Sequence, residues 1–188
     1  MKNFRILALA VVTVITFSSC SSDDDTATIV NEEEVITTVT ATFTPQAGGT
    51  AIVLTSRDLD GDGPNAPVVT TSGNFTTGAV YNGKVSFLNE LQTPAEDISV
   101  EIKEEGDEHQ IFFQQNGLGT FAYADQDVNG KPIGLNFTYT AATTPISGTL
   151  SVTLIHEPNK AAEGVSQGII TNAGGATDAQ VIFNVTVQ

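Results

Sequence analysis

From residue 35 onward, apolar and polar positions alternate with a period of two, as in strands half-buried in a sheet. Val35, Thr37, Val39, Ala41 and Phe43 fall on one face of a first strand, and residues 45–49 supply the turn after it. A second strand, 50–55, runs into an Asp/Gly-rich loop at 58–63, and a third covers 66–71. Within 79–88, Tyr81, Val85 and Phe87 alternate with Lys84 and Ser86. Segments 109–115, 119–124 and 133–140 read as further short strands parted by Gly or Asp/Asn clusters. Leu150, Val152 and Leu154 alternate with Ser151 and Thr153, and Val181, Phe183, Val185 and Val187 close the chain in the same way. Eight or nine such strands predict an all-β fold, an antiparallel β-sandwich, with a small barrel as the alternative. Segment 97–105 is ambiguous. Ile98, Val100 and Ile102 alternate like a strand, yet Asp97 as a cap, the spacing of Ile98 and Ile102, and Gly106 as a stop favour one short helix. Residues 157–178 predict a long loop with one short strand at 168–171.

The amino terminus follows another rule. Lys2 and Arg5 precede an apolar run, Ile6 to Phe17, that ends in Ser18, Ser19 and Cys20. This is the layout of a secretory signal peptide, and the run is shorter than the ~20 residues of a transmembrane helix. Phe17-Ser18-Ser19-Cys20 resembles the lipobox of bacterial lipoproteins, with Phe17 where Leu is usual. That resemblance implies a lipidated Cys20 as the first residue after cleavage. Ser22, Asp23, Asp24 and Asp25 resemble the export signal of Bacteroidota surface lipoproteins, and the same acidic stretch suits a solvated tether. The expected organisation is a signal peptide over 1–19, a lipidated Cys and tether over 20–34, and a single β-domain over 35–188.

Composition narrows the function. The 188 residues include 22 acids and 7 bases, a net charge of −15, and cleavage would remove two of those bases and no acid. Such a field repels phosphate backbones and anionic lipid, so no nucleic-acid partner is expected, and the lipid is the only expected membrane contact. A single cysteine excludes a disulfide framework and a thiolate zinc cluster. Neither histidine has a recognisable serine partner, no GxSxG elbow occurs and tryptophan is absent, so an enzyme is not expected.

Two constellations suggest metal chemistry. Asp58, Asp60 and Asp62 stand at alternate positions before Gly63, the oxygen-rich spacing of a calcium loop, but Val69 occupies the place where an EF-hand carries its closing glutamate. Asp125, Asp127 and Asn129 repeat the spacing more weakly. Plain turn chemistry is the rival explanation for both loops. The second constellation is Glu108-His109 and His156-Glu157, which contains the chain's only two histidines. Imidazole beside carboxylate suits zinc or another divalent transition metal. His109 shares strand parity with Ile111 and Phe113, and His156 with Leu150, Val152 and Leu154, so both rings would face the interior or its mouth. Two separate histidines, each hydrogen-bonded at its own strand end, are the alternative.

Several phrases occur together: Leu54-Thr-Ser-Arg57-Asp58-Leu-Asp60-Gly-Asp62-Gly63-Pro64, Phe87-Leu-Asn-Glu90, Pro94-Ala-Glu-Asp97, Glu104-Glu-Gly-Asp-Glu-His109-Gln110, His156-Glu-Pro-Asn-Lys160 and Ala173-Gly-Gly. Over about 35–188 the chain resembles a family of flavobacterial lipoproteins catalogued as type 1 periplasmic binding fold superfamily proteins. That name implies an α/β fold, whereas the period-two pattern here supplies almost no crossover helices. The resemblance implies an outer-membrane, surface-exposed lipoprotein that captures a scarce nutrient for uptake with a TonB-dependent receptor, and the acidic field with the His–Glu pairs makes a divalent metal or other small ligand the expected cargo. The competing expectation is a calcium-stabilised structural or protein-interaction module.

Overall fold

The alternating segments form two antiparallel sheets. A computed structural model describes residues 34–61 and 63–188, and every structural statement below concerns these residues. The signal segment, Cys20, Ser22, Asp23, Asp24, Asp25 and Asp62 lie outside them. The strands are β1 (Thr38–Pro45), β2 (Ile52–Arg57), β3 (Val68–Thr71), β4 (Val80–Asn89), β5 (Glu96–Asp97), β6 (His109–Gln115), β7 (Gly119–Tyr123), β8 (Asn136–Ala141), β9 (Ile146–His156) and β10 (Ala176–Val187). One sheet runs β3-β2-β1-β4-β8-β7 with β5 appended to β4, and the other runs β10-β9-β6. The tenth strand, beyond the expected eight or nine, is the two-residue β5.

Their inner faces enclose one core. Val39, Ala41 and Phe43 of β1, Tyr81, Val85 and Phe87 of β4, and Phe137 and Tyr139 of β8 meet Ile111, Leu150, Val152, Leu154, Phe183 and Val185 from the smaller sheet. Phe43 lies at the aromatic centre, edge-on to Phe75 at 4.8 Å, Phe137 at 5.3 Å and Tyr139 at 5.6 Å. Opposite Phe137, β4 carries Gly83, and a Cβ there would meet the ring at 2.1 Å, so glycine is what lets the ring lie across the strand.

The short helix α1 spans Ile98–Glu104, with Asp97 accepting the Ser99 amide as N-cap and Ile98 and Ile102 turned into the core. Three expectations need correction. The first strand starts at Thr38, not Val35, because the chain leaves the sheet there to carry Glu34 to His109; Val35 is 52% exposed. Ile133 and Leu135 are buried but precede β8, their carbonyls accepting the Ile111 and Val85 amides, one from each sheet. The segment after β9 holds two 3-10 turns, Val165–Gln167 and Ile170–Asn172, in place of a strand at 168–171. Val165 and Ala173 pack on Phe112 and Ile155 and cover the outer face of the smaller sheet. Lys160 pins this segment: its ammonium donates to the Gly106 carbonyl, to Asp127 Oδ2 at 3.0 Å and to the Pro132 carbonyl at 2.9 Å. Among the described residues no helix is long and apolar enough to cross a membrane.

Candidate metal centre

Strand register brings the two histidines together. β6 begins and β9 ends with a histidine, and the antiparallel pairing sets His109 directly opposite His156. Both side chains fall on the inner face, as parity predicts, and their rings stack at 4.7 Å with a 23° tilt. The expectation of two separate histidines is thereby set aside.

Three acids that sequence reasoning missed complete the cluster. Between Thr177 and Ala179 the pairing of β10 with β9 slips by one residue, and Asp178 is the extra one. Such a bulge re-aims a side chain. Here it buries the carboxylate to 4% exposure, with Oδ2 at 3.9 Å from His109 Nε2 and Oδ1 at 4.0 Å from His156 Nδ1. Glu34, expected to be the last residue of the tether, is instead 11% exposed and places Oε1 at 3.7 Å from His109 Nε2. Glu105, at the end of α1, supplies the carbonyl that receives His109 Nδ1–H at 3.1 Å, and its carboxylate falls within reach of the same group of donors. On the outer side, Glu108 Oε2 lies 3.7 Å from His156 Nε2, with Glu157 beside them.

Local backbone features hold this arrangement. Glu157 adopts φ 50°, a left-handed conformation unusual for a non-glycine residue, while its amide donates to the Glu108 carbonyl at 2.6 Å. Gly175, at φ +74°, passes so close to His156 that a Cβ would stand 2.1 Å from its carbonyl oxygen. Only glycine lets β10 enter the sheet beside that residue.

The bond lengths decide what the cluster can do. A carbonyl only accepts, so Nδ1 of His109 carries the proton, and in the neutral ring the lone pair sits on Nε2. That nitrogen is buried, makes no hydrogen bond, and faces Glu34 and Asp178 at 3.7 and 3.9 Å. These separations exceed hydrogen-bond length. They approach the ~3.3–3.6 Å between ligands of a tetrahedral ion with bonds of about 2.0–2.2 Å. An imidazole fixed through its other nitrogen by a backbone carbonyl is also the usual support of a metal-bound histidine. Without an ion the acids oppose one another. Burial above all, then repulsion from Glu101, Asp178, Glu105 and Glu96, pushes the Glu34 carboxyl up to about 7. Nitrogen and carboxylate donors together fit a divalent ion of zinc type better than calcium, which takes all-oxygen shells.

The acidic loops are built differently. Asp125 accepts the Gly134 and Asn136 amides, while Asp127 accepts those of Asn129 and Lys131 and pairs with the Lys160 ammonium. Burial works to raise the Asp127 carboxyl, yet the Lys131 amide and the Lys160 ammonium hold it below its ordinary range. Protein donors thus engage the carboxylates of Asp125 and Asp127, which with Asn129 were expected as calcium ligands, and lock the turn. In the first loop Asp58 Oδ1 accepts the Asp60 and Gly61 amides, and Asp60 Oδ2 accepts both the amide and the side chain of Asn65. Those contacts are the turn chemistry that Asp and Gly bring on their own.

Comparison with protein-family models, with curated proteins and with solved structures returned no match.

Proposed function

We propose that this protein is a lipid-anchored binding protein that captures a divalent transition metal, zinc or a close relative, at one mouth of its β-sandwich. The observation that carries the reading is His109: a buried imidazole whose Nδ1–H is committed to a carbonyl, and whose Nε2 faces two buried carboxylates at ion-sharing distances. The net charge of −15 supports it, because an acidic field concentrates cations near the domain. The amino-terminal sequence supports the place of action. Cys20 would carry the lipid, Ser22 to Asp25 would direct the chain to the outer face of the outer membrane, and a TonB-dependent receptor would take the cargo onward.

The test uses the full chain purified in detergent and stripped with chelator, melted with and without zinc or calcium. Ligand at a hundredfold excess over Kd stabilises the native state by about 2.7 kcal/mol, which is ~5–10 °C for a chain of this size. Zinc should produce that rise and calcium should not. His109→Ala, checked for native circular dichroism, should diminish it sharply. A zinc response left intact in that variant, or no response in the wild type, overturns the reading. Loss of membrane association in Cys20→Ala tests the anchor separately.

A further inference from the structure

Donor atoms of His109, His156 and Asp178 lie within 4.8 Å of one another, yet the planes of the two imidazoles are badly set to share one ion. A metal lies in the plane of each imidazole it binds, at about 2.0–2.1 Å from the nitrogen. Rings stacked at 4.7 Å with only 23° between their planes run side by side, and those planes meet far beyond a bond length. Each ring instead has its own carboxylates. His109 Nε2 faces Glu34 and Asp178, and His156 Nε2 faces Glu108 at 3.7 Å with Glu157 in the same group.

We propose that the sandwich mouth is a two-ion centre, with an inner divalent transition-metal ion on Glu34, Glu105 and His109, and an outer one on Glu108, His156 and Glu157. This rests on the metal-binding reading above. Each trio brings one imidazole and two carboxylates, so each neutralises one divalent ion. Asp178 links the halves, turning one oxygen to the inner nitrogen and the other toward His156 Nδ1 at 4.0 Å. A carboxylate behind the far nitrogen of a ligating imidazole fixes its tautomer and orientation. Exposure then assigns the order of filling and release. Glu34 and His109 of the inner set are nearly closed to solvent, whereas Glu108 is 56% exposed. The inner ion is held and exchanges slowly. The outer ion meets solvent and is the one passed to a partner.

The experiment is a zinc titration of the metal-free full chain, read by native mass spectrometry and equilibrium dialysis. Wild type should bind two equivalents, the second at least tenfold more weakly. The double variant Glu108→Gln/Glu157→Gln, which alters two exposed side chains and spares the core, should bind one. Glu34→Gln should weaken the tighter equivalent at least tenfold. Two equivalents retained by the double variant, or a single equivalent in wild type, overturns the two-ion centre while leaving a metal-binding protein. No zinc bound by wild type overturns both readings.

Discussion

Replacing Glu34 by Gln is expected to stabilise the metal-free protein above neutral pH and to weaken its hold on zinc. In the folded chain, burial and then the surrounding acids raise its carboxyl from an ordinary 4.5 to about 7. Unfolding removes those constraints. A folded value above the unfolded one means that the native state binds the extra proton between them. The associated stability is therefore full below about 4.5 and is lost as pH rises through about 7. Each pH unit of displacement corresponds to about 1.36 kcal/mol, so the whole interval amounts to roughly 3 kcal/mol. Water and salt at the open mouth screen part of it, leaving about 1–2 kcal/mol. Gln keeps the shape without the charge. Denaturation in chelator should then show the variant more stable than wild type by about 1–2 kcal/mol near pH 8, with the difference gone near pH 4. Saturating zinc should reverse the order, since wild type gains a ligand that the variant lacks. Equal stabilities at both pH values, or an undiminished zinc response in the variant, would refute the argument that Glu34 is a buried carboxylate whose charge a cation compensates.

Lys160→Met should cost about 3–5 kcal/mol in denaturant, because it leaves the buried Asp127 carboxylate without its ammonium; adding Asp127→Asn should restore part of the loss. Gly175→Ala should lower stability by about 1–3 kcal/mol through its left-handed φ and the clash with the His156 carbonyl, and calorimetric titration should show zinc affinity falling with it. Phe43→Ala, at the aromatic centre, should destabilise by about 3–5 kcal/mol through cavity formation, while zinc affinity measured on the folded fraction stays unchanged.

The sandwich was legible because its information is local. Alternation assigns each side chain to a face, and Gly, Asp and Asn clusters mark the turns, so nine segments could be placed before any pairing was known. The helix at Ile98–Glu104 was legible through its cap: Asp97 and the Ile98/Ile102 spacing outweighed three apolar residues in strand-like alternation. The histidines were half legible. Parity put both rings inward, but their meeting depends on the β6–β9 register, which no short stretch of either strand encodes.

Asp178 shows where this kind of reading fails. Counting by twos back from Phe183 puts residue 178 on the solvent face, and without the bulge it would stay there. The slip between Thr177 and Ala179 turns it inward, and nothing in Ala-Thr-Asp-Ala distinguishes a bulge from a regular strand. Glu34 was hidden for the opposite reason, since an acid among acids reads as tether. Departures from regular β-structure converge on one place. The bulge at Asp178, the left-handed Glu157, the close pass of Gly175 and the chain leaving the sheet before Thr38 all lie next to His109 or His156. A regular sheet would need none of them. Local rules broken together around two imidazoles and the nearly buried Glu34 and Asp178 carboxylates are what the proposed metal centre accounts for and a regular sheet does not.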